Sequence, residues 1–127
     1  MALRKKDLRQ VMTNTVILVI GDVKTWLEQG RPLPEDDILV FIDYNMFSAE
    51  TLLIHRPGMV LSPLTSRGFD ALDIAARLQT FRFKGAYRVL APKLPDQAMI
   101  RNELAHLAPD VDCELIELNH TPELRLV

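Results

Sequence analysis

Five short apolar runs limit the architectures open to this chain. Val16–Ile20 and Ile38–Ile42 are apolar at every position, and residues 59–61, 87–90 and 113–118 repeat the pattern further along. A strand that is apolar throughout, rather than at every second residue, is buried on both faces, as in a parallel sheet covered by helices on each side. The last run alternates, with Glu114 and Glu117 among apolar neighbours, which suits an edge strand.

Segments with helical spacing separate the runs. Residues 23–29 form a short one, stopped by Gly30 and Pro32. Ser48 is placed to cap a second, with Glu50 near its positive end, and Pro57-Gly58 terminates it. Residues 70–83 form the clearest helix. Leu72, Ala75, Ala76 and Leu78 make its apolar face, Asp73, Arg77 and Gln79 face outward, and Gly85 closes it. Residues 95–107 form the last, starting at Pro95 or Asp96 and ending before Pro109. Its inward positions are Ala98, Met99, Leu104 and Leu107, with Arg101 and Glu103 toward water. Strand and helix in alternation predict right-handed crossovers and an α/β fold of three layers, α/β/α, on a mainly parallel five-stranded sheet. A chain of 127 residues suits a single domain spanning 1–127, with 1–13 and 119–127 as terminal extensions and the proline- and acid-rich segment 31–37 as an ordered loop.

Composition narrows the functional classes. Apolar residues make up 48% and charged residues 25%, enough for one core without metal or disulfide staples. A formal net charge of -2 predicts no general affinity for nucleic acid or an anionic membrane, and the cluster Arg4, Lys5, Lys6 and Arg9 reads as a solvated N-terminus. The single cysteine, Cys113, forms no intramolecular disulfide and reads as a buried, inert thiol on a late strand. Val16–Ile20 is too short for a signal-peptide core, and no run approaches the roughly 18 apolar residues of a membrane helix. Together these features predict a cytoplasmic protein.

Chemistry in open α/β sheets gathers beyond the carboxyl ends of the strands. That rule selects Asp22 after the first strand, Asp43, Tyr44 and Asn45 after the second, Ser62, Thr65, Ser66 and Arg67 after the third, and Lys93 after the fourth. Asp22 and Asp43 are suited to a hard divalent cation such as magnesium. Lys93 with Thr65 or Ser66 suits an anion, and the backbone before Asp70 suits a phosphate at a helix N-terminus. The same residue types also serve as ordinary caps and turns. No GxxxxGKS/T or GxGxxG loop occurs, and no histidine or cysteine pair has metal-ligand spacing. His55 and His106 fall late in helices, where a cation meets the negative helix end, and His120 falls in the tail. Trp26, Phe41, Phe69, Phe81 and Phe83 read as packing groups, whereas Tyr44 and Phe47 are placed at the ligand edge or a partner interface.

Residues 83–95, Phe-Lys-Gly-Ala-Tyr-Arg-Val-Leu-Ala-Pro-Lys-Leu-Pro, resemble the Gly-Ala, strand and Lys-Pro segment of bacterial response-regulator receiver domains. Residues 38–43 resemble the strand ending in the phosphoacceptor aspartate, 59–64 the strand ending in a switch hydroxyl, and 16–22 the first strand with its acidic end. The resemblance implies a flavodoxin-like, receiver-like fold. It casts Asp43 as phosphoacceptor, Asp22 as magnesium ligand, Ser62 or Thr65 as switch hydroxyl and Lys93 as phosphate partner. The chain departs from the receiver pattern in having Gly21 where an acidic pair is expected, Pro92-Lys93 in reversed order, and a short separation from Asp22 to Asp43. The implied protein is a degenerate receiver-like regulatory module. It has no working phosphoacceptor and no required cofactor, and it acts on a protein partner or as a homodimer. The alternative is a small-ligand binder or enzyme using the strand-end edge.

Overall fold

The computed structural model describes residues 16–21, 38–66 and 68–117. Within them the chain runs β1 (Val16–Ile20), β2 (Ile38–Ile42), a 3-10 turn (Tyr44–Met46), α1 (Ala49–His55), β3 (Met59–Pro63), β4 (Thr65–Ser66), β5 (Phe69–Asp70), α2 (Ala71–Thr80), β6 (Ala86–Ala91), α3 (Gln97–Leu107) and β7 (Asp112–Glu117). The expected helix 23–29 with Trp26, the loop 31–37, the basic cluster 4–9, both terminal extensions, Asp22, Arg67 and His120 lie outside the described residues.

The main sheet has the order β2-β1-β3-β6-β7, and every neighbouring pair is parallel. This is the strand order of flavodoxin-like folds, with its switch point between β1 and β3. The register explains why β1 is apolar throughout. Leu18 lies between Val40 and Val60, and Val19 between Phe41 and Leu61, so successive side chains meet apolar neighbours on opposite faces. One face joins Leu18, Ile20, Val60, Tyr87, Val89 and Leu115 to Ile74, Leu78 and Leu104 of the helices, with Leu52 and Ile100 packed against them. The other face gathers Ile17, Val19, Leu61 and Leu90, flanked by Leu39, Phe41, Met59 and Ile116. Burying each of these large side chains contributes about 1.5–3 kcal/mol. The connections carrying α1, α2 and α3 all step the same way across the sheet, from β2 toward β7. Right-handed crossovers therefore put all three helices on one face. The expected edge position of the alternating strand is observed, since β7 ends the sheet. On that edge Cys113, expected to be buried, is only partly so.

Each described helix begins where a short polar side chain accepts from an otherwise unpaired backbone N–H. Ser48 Oγ accepts from Thr51 N–H at 3.3 Å, and Asp96 from Met99 N–H at 3.2 Å. Asp70 accepts from Asp73 N–H at 3.0 Å, while the Asp73 carboxylate accepts from Asp70 N–H at 3.2 Å. This reciprocal capping box fixes the start of α2.

Several helix expectations need correction. α2 ends at Thr80, not Phe83. Arg82 takes the left-handed conformation at φ 59°, and Phe83 N–H reaches back to Leu78 O at 3.0 Å, so Gly85 does not close the helix. Gly85 instead lies against the 57–58 turn. A Cβ there would press on the Gly58 carbonyl and stand 2.6 Å from the Phe83 ring. In α3, Leu104 is buried and Ile100 packs inward, but Ala98 and Met99 are exposed. The helix meets the sheet along a narrower stripe than its apolar residues suggest.

Candidate functional site

The rim at the carboxyl ends of the strands is built from turns that fold side chains back over the sheet. β1 ends in Gly21, whose φ of +127° is open to glycine and strained for other residues. Its N–H donates to Ile42 O at 3.1 Å. A Cβ on Gly21 would stand 3.2 Å from Pro63 Cδ and 3.7 Å from Phe69 Cζ. The space beside the β1 exit is therefore taken by Pro63 and Phe69. Phe69 is brought there by β4 and β5, a two-stranded antiparallel ribbon pairing Thr65 with Asp70 and Ser66 with Phe69. Gly68 stands near its tip at φ +91°.

Beyond β2, Asp43 is exposed and caps nothing with its side chain, while its carbonyl accepts from Met46 N–H at 2.9 Å. The tight turn that follows aims Tyr44 back across the rim. Its ring stacks on Phe69, with centroids 4.7 Å apart and planes 7° from parallel. Asn45 is exposed on the same turn. Tyr44 is thus at the strand-end edge as expected, though engaged by the chain itself. Phe47, expected there too, is only 2% exposed and belongs to the core, because the 3-10 turn rotates it under the helix layer.

Ser62 does not reach the rim. β3 continues through Pro63, and the parity of the strand places Ser62 on the helix-covered face with Val60. It is 0% exposed, and its Oγ lies 2.6 Å from the Tyr87 hydroxyl, which is also fully buried. Burial, partly offset by the Ser62 hydrogen bond, pushes the Tyr87 phenol far above its ordinary range, so it remains a neutral donor. The pair is a satisfied polar bond inside the core.

Thr65 is exposed and Ser66 half-buried on the ribbon. Lys93 is exposed beyond β6. β2 and β6 stand three strand spacings apart, about 14 Å at roughly 4.8 Å per spacing, so Asp43 and Lys93 are not brought together. The helix N-terminus expected to hold a phosphate begins α2, where the Asp70 and Asp73 carboxylates already take the backbone donors. Two acidic side chains there repel an anion. Among the described residues, no group of three His, Cys, Asp or Glu side chains is placed to hold a metal ion. No described helix is long and apolar enough to cross a membrane.

No protein-family model matches the chain, and no curated protein matches it. The geometry alone therefore bears on function.

One feature of the rim escapes periodicity. Arg77, expected to face outward from α2, is half-buried with its guanidinium 5.5 Å from the Tyr44 ring centroid, 5.4 Å from Phe47 and 5.8 Å from Phe81. Phe47 and Phe81 meet edge to face at 5.7 Å. Three rings around one cation lock the turn after β2 onto the end of α2. The three aromatics are visible in the sequence, but their convergence depends on the crossover between β2 and α2.

Proposed function

We propose that this chain is a receiver-like regulatory module that works by binding a protein partner, without phosphoacceptor chemistry at the strand-end rim. The observation that carries this reading is an apolar surface beside a self-occupied rim. Met46 is 62% exposed and Ile54 67% exposed. Both are tied to one small unit, since Thr51 Oγ1 of α1 donates to Met46 O at 2.6 Å. Leu53, the next residue round the helix, is 73% exposed. α1 is only seven residues long and packs Leu52 against the core, while its two apolar neighbours of equal size, Leu53 and Ile54, stay in solvent. Leaving a Leu or Ile exposed forgoes about 1.5–3 kcal/mol each, and adjacent exposed apolar groups mark contact surfaces more often than isolated ones. On the rim, the Tyr44–Phe69 stack, Pro63 and the Arg77 cage fill the aromatic part of the edge, while Asp43, Asn45, Thr65 and Lys93 stay exposed around it.

The full chain, tagged and immobilised, is expected to retain a discrete protein from its native cell extract. A Met46→Asp/Ile54→Asp variant with unchanged circular dichroism is expected to lose it. Retention of the same proteins by both forms, or of none by either, overturns the reading. Incubation with magnesium and acetyl phosphate is expected to leave the intact mass unchanged. A phosphoryl gain abolished by Asp43→Asn would restore the phosphoacceptor role.

A further inference from the structure

At the opposite end of the sheet, α1 and α2 finish side by side against the turn that begins β3. We infer that the cleft between them binds a small organic anion, with one carboxylate or phosphate group on a compact aromatic or aliphatic body. The cleft shares Leu53 with the exposed face of α1 and Phe81 with the Arg77 cage, and its three cations set it apart from both. It is shallow and open to solvent, with a volume of about 350 Å³, within the range of small-ligand sites. Leu52, Pro57, Phe81 and Phe83 give it an apolar lining. Arg56, Arg82 and Lys84 also line it, and no acidic side chain does.

Helix ends alone do not account for that much positive charge. The carboxyl ends of α1 and α2 each present roughly half a negative charge, about one in total. Three cations leave an excess of about two positive charges beside an apolar floor. Among the described residues, none of the three forms an ion pair. Two of the cations also stand on unusual backbone. Arg56 caps α1 at φ 46°, and Arg82 follows α2 at φ 59°. Glycine takes that left-handed conformation without strain, yet both positions carry the same long cationic side chain, aimed from two helix ends at one cleft. An anionic group between the cations, with its body on Leu52 and Phe83, satisfies both the charge and the apolar lining. A neighbouring cleft of about 420 Å³ shares Arg82 and Lys84 but is lined by Asp110, which accepts from Gln79 Nε2 at 2.8 Å. Its own carboxylate disfavours an anion there.

The test is titration of the ¹⁵N-labelled full chain with phenyl phosphate, followed by amide shifts. Saturable changes are expected at Leu53, Arg56, Arg82, Lys84 and Gly85. Inorganic phosphate, which lacks the body, and benzyl alcohol, which lacks the charge, are each expected to bind about tenfold more weakly or worse. Arg82→Gly removes the charge while keeping the left-handed turn. It is expected to fold at least as well as the parent and to weaken phenyl phosphate binding about tenfold. Lys84→Gln is expected to act in the same direction. Shifts that drift without saturating, an equal response to benzyl alcohol, or undiminished binding by both folded variants overturns the proposal.

Discussion

Removing the Ser62 hydroxyl should cost more than removing the Tyr87 hydroxyl, although the two form a single hydrogen bond. Both side chains are 0% exposed and their oxygens are 2.6 Å apart. After Ser62→Ala the Tyr87 O–H keeps, among the described residues, only the Ala71 carbonyl, at 3.5 Å, well beyond the usual O–H···O range of about 2.5–3.0 Å. A buried donor left in that state costs about 1–3 kcal/mol. After Tyr87→Phe the ring still fills its site, and Ser62 Oγ retains the Pro63 carbonyl at 3.0 Å. Only a net hydrogen bond is lost, about 0.5–1.5 kcal/mol. The double variant leaves neither orphan, so it should be less destabilised than the sum of the single variants, by about 1 kcal/mol. Urea unfolding followed by circular dichroism at constant slope measures all three. Strict additivity, or a Ser62→Ala variant as stable as the parent, would refute the claim that this serine is a core partner of Tyr87.

Further outcomes follow from the same packing. Phe69→Ala removes a ring that is 8% exposed and stacked on Tyr44, and should cost about 3–5 kcal/mol in chemical denaturation. Arg77→Leu keeps much of the volume but loses the charge inside three rings. It should lower stability by about 0.5–2 kcal/mol, with Arg77→Lys recovering part of it. Burial, helped by the Asp112 charge, pushes the Cys113 thiol from an ordinary 9.0 to about 11. Because the folded value is the higher, its stabilising contribution is complete below about pH 9 and is lost as pH rises through about 11. Melting curves of the parent and Cys113→Ala should therefore converge across that window, and iodoacetamide should label the folded thiol slowly near neutrality.

The sheet was legible because β1 and β2 are apolar at every position and the later strands are short apolar runs between helical segments; β1 is buried between two neighbours, while β2 is apolar throughout although it ends the described sheet. Helix starts were legible too, since Ser48, Asp70 and Asp96 are local signals that need no tertiary context. The strand-end site was less so. Taking β3 to end at Leu61 puts Ser62 on the rim. Two more strand residues keep it inside, and the period of two then decides which face it joins. The Arg77 cage and the Arg56/Arg82 cleft arise from residues far apart in sequence that crossovers bring together, so no spacing rule reveals them. The left-handed arginines were hidden for another reason. Glycine is the residue that marks such a turn in a sequence, and here the nearby Gly85 is needed instead for close approach to Gly58.

The self-occupied rim is tested most directly by aromatic NOE spectra of the labelled full chain, recorded with and without magnesium and acetyl phosphate. The Tyr44–Phe69 ring contact should appear in both samples, with no saturable shift at Gly21, Asp43 or Ser66. Loss of that ring contact on addition, together with saturating shifts at those three residues, would show that the edge opens to a ligand and would contradict the account.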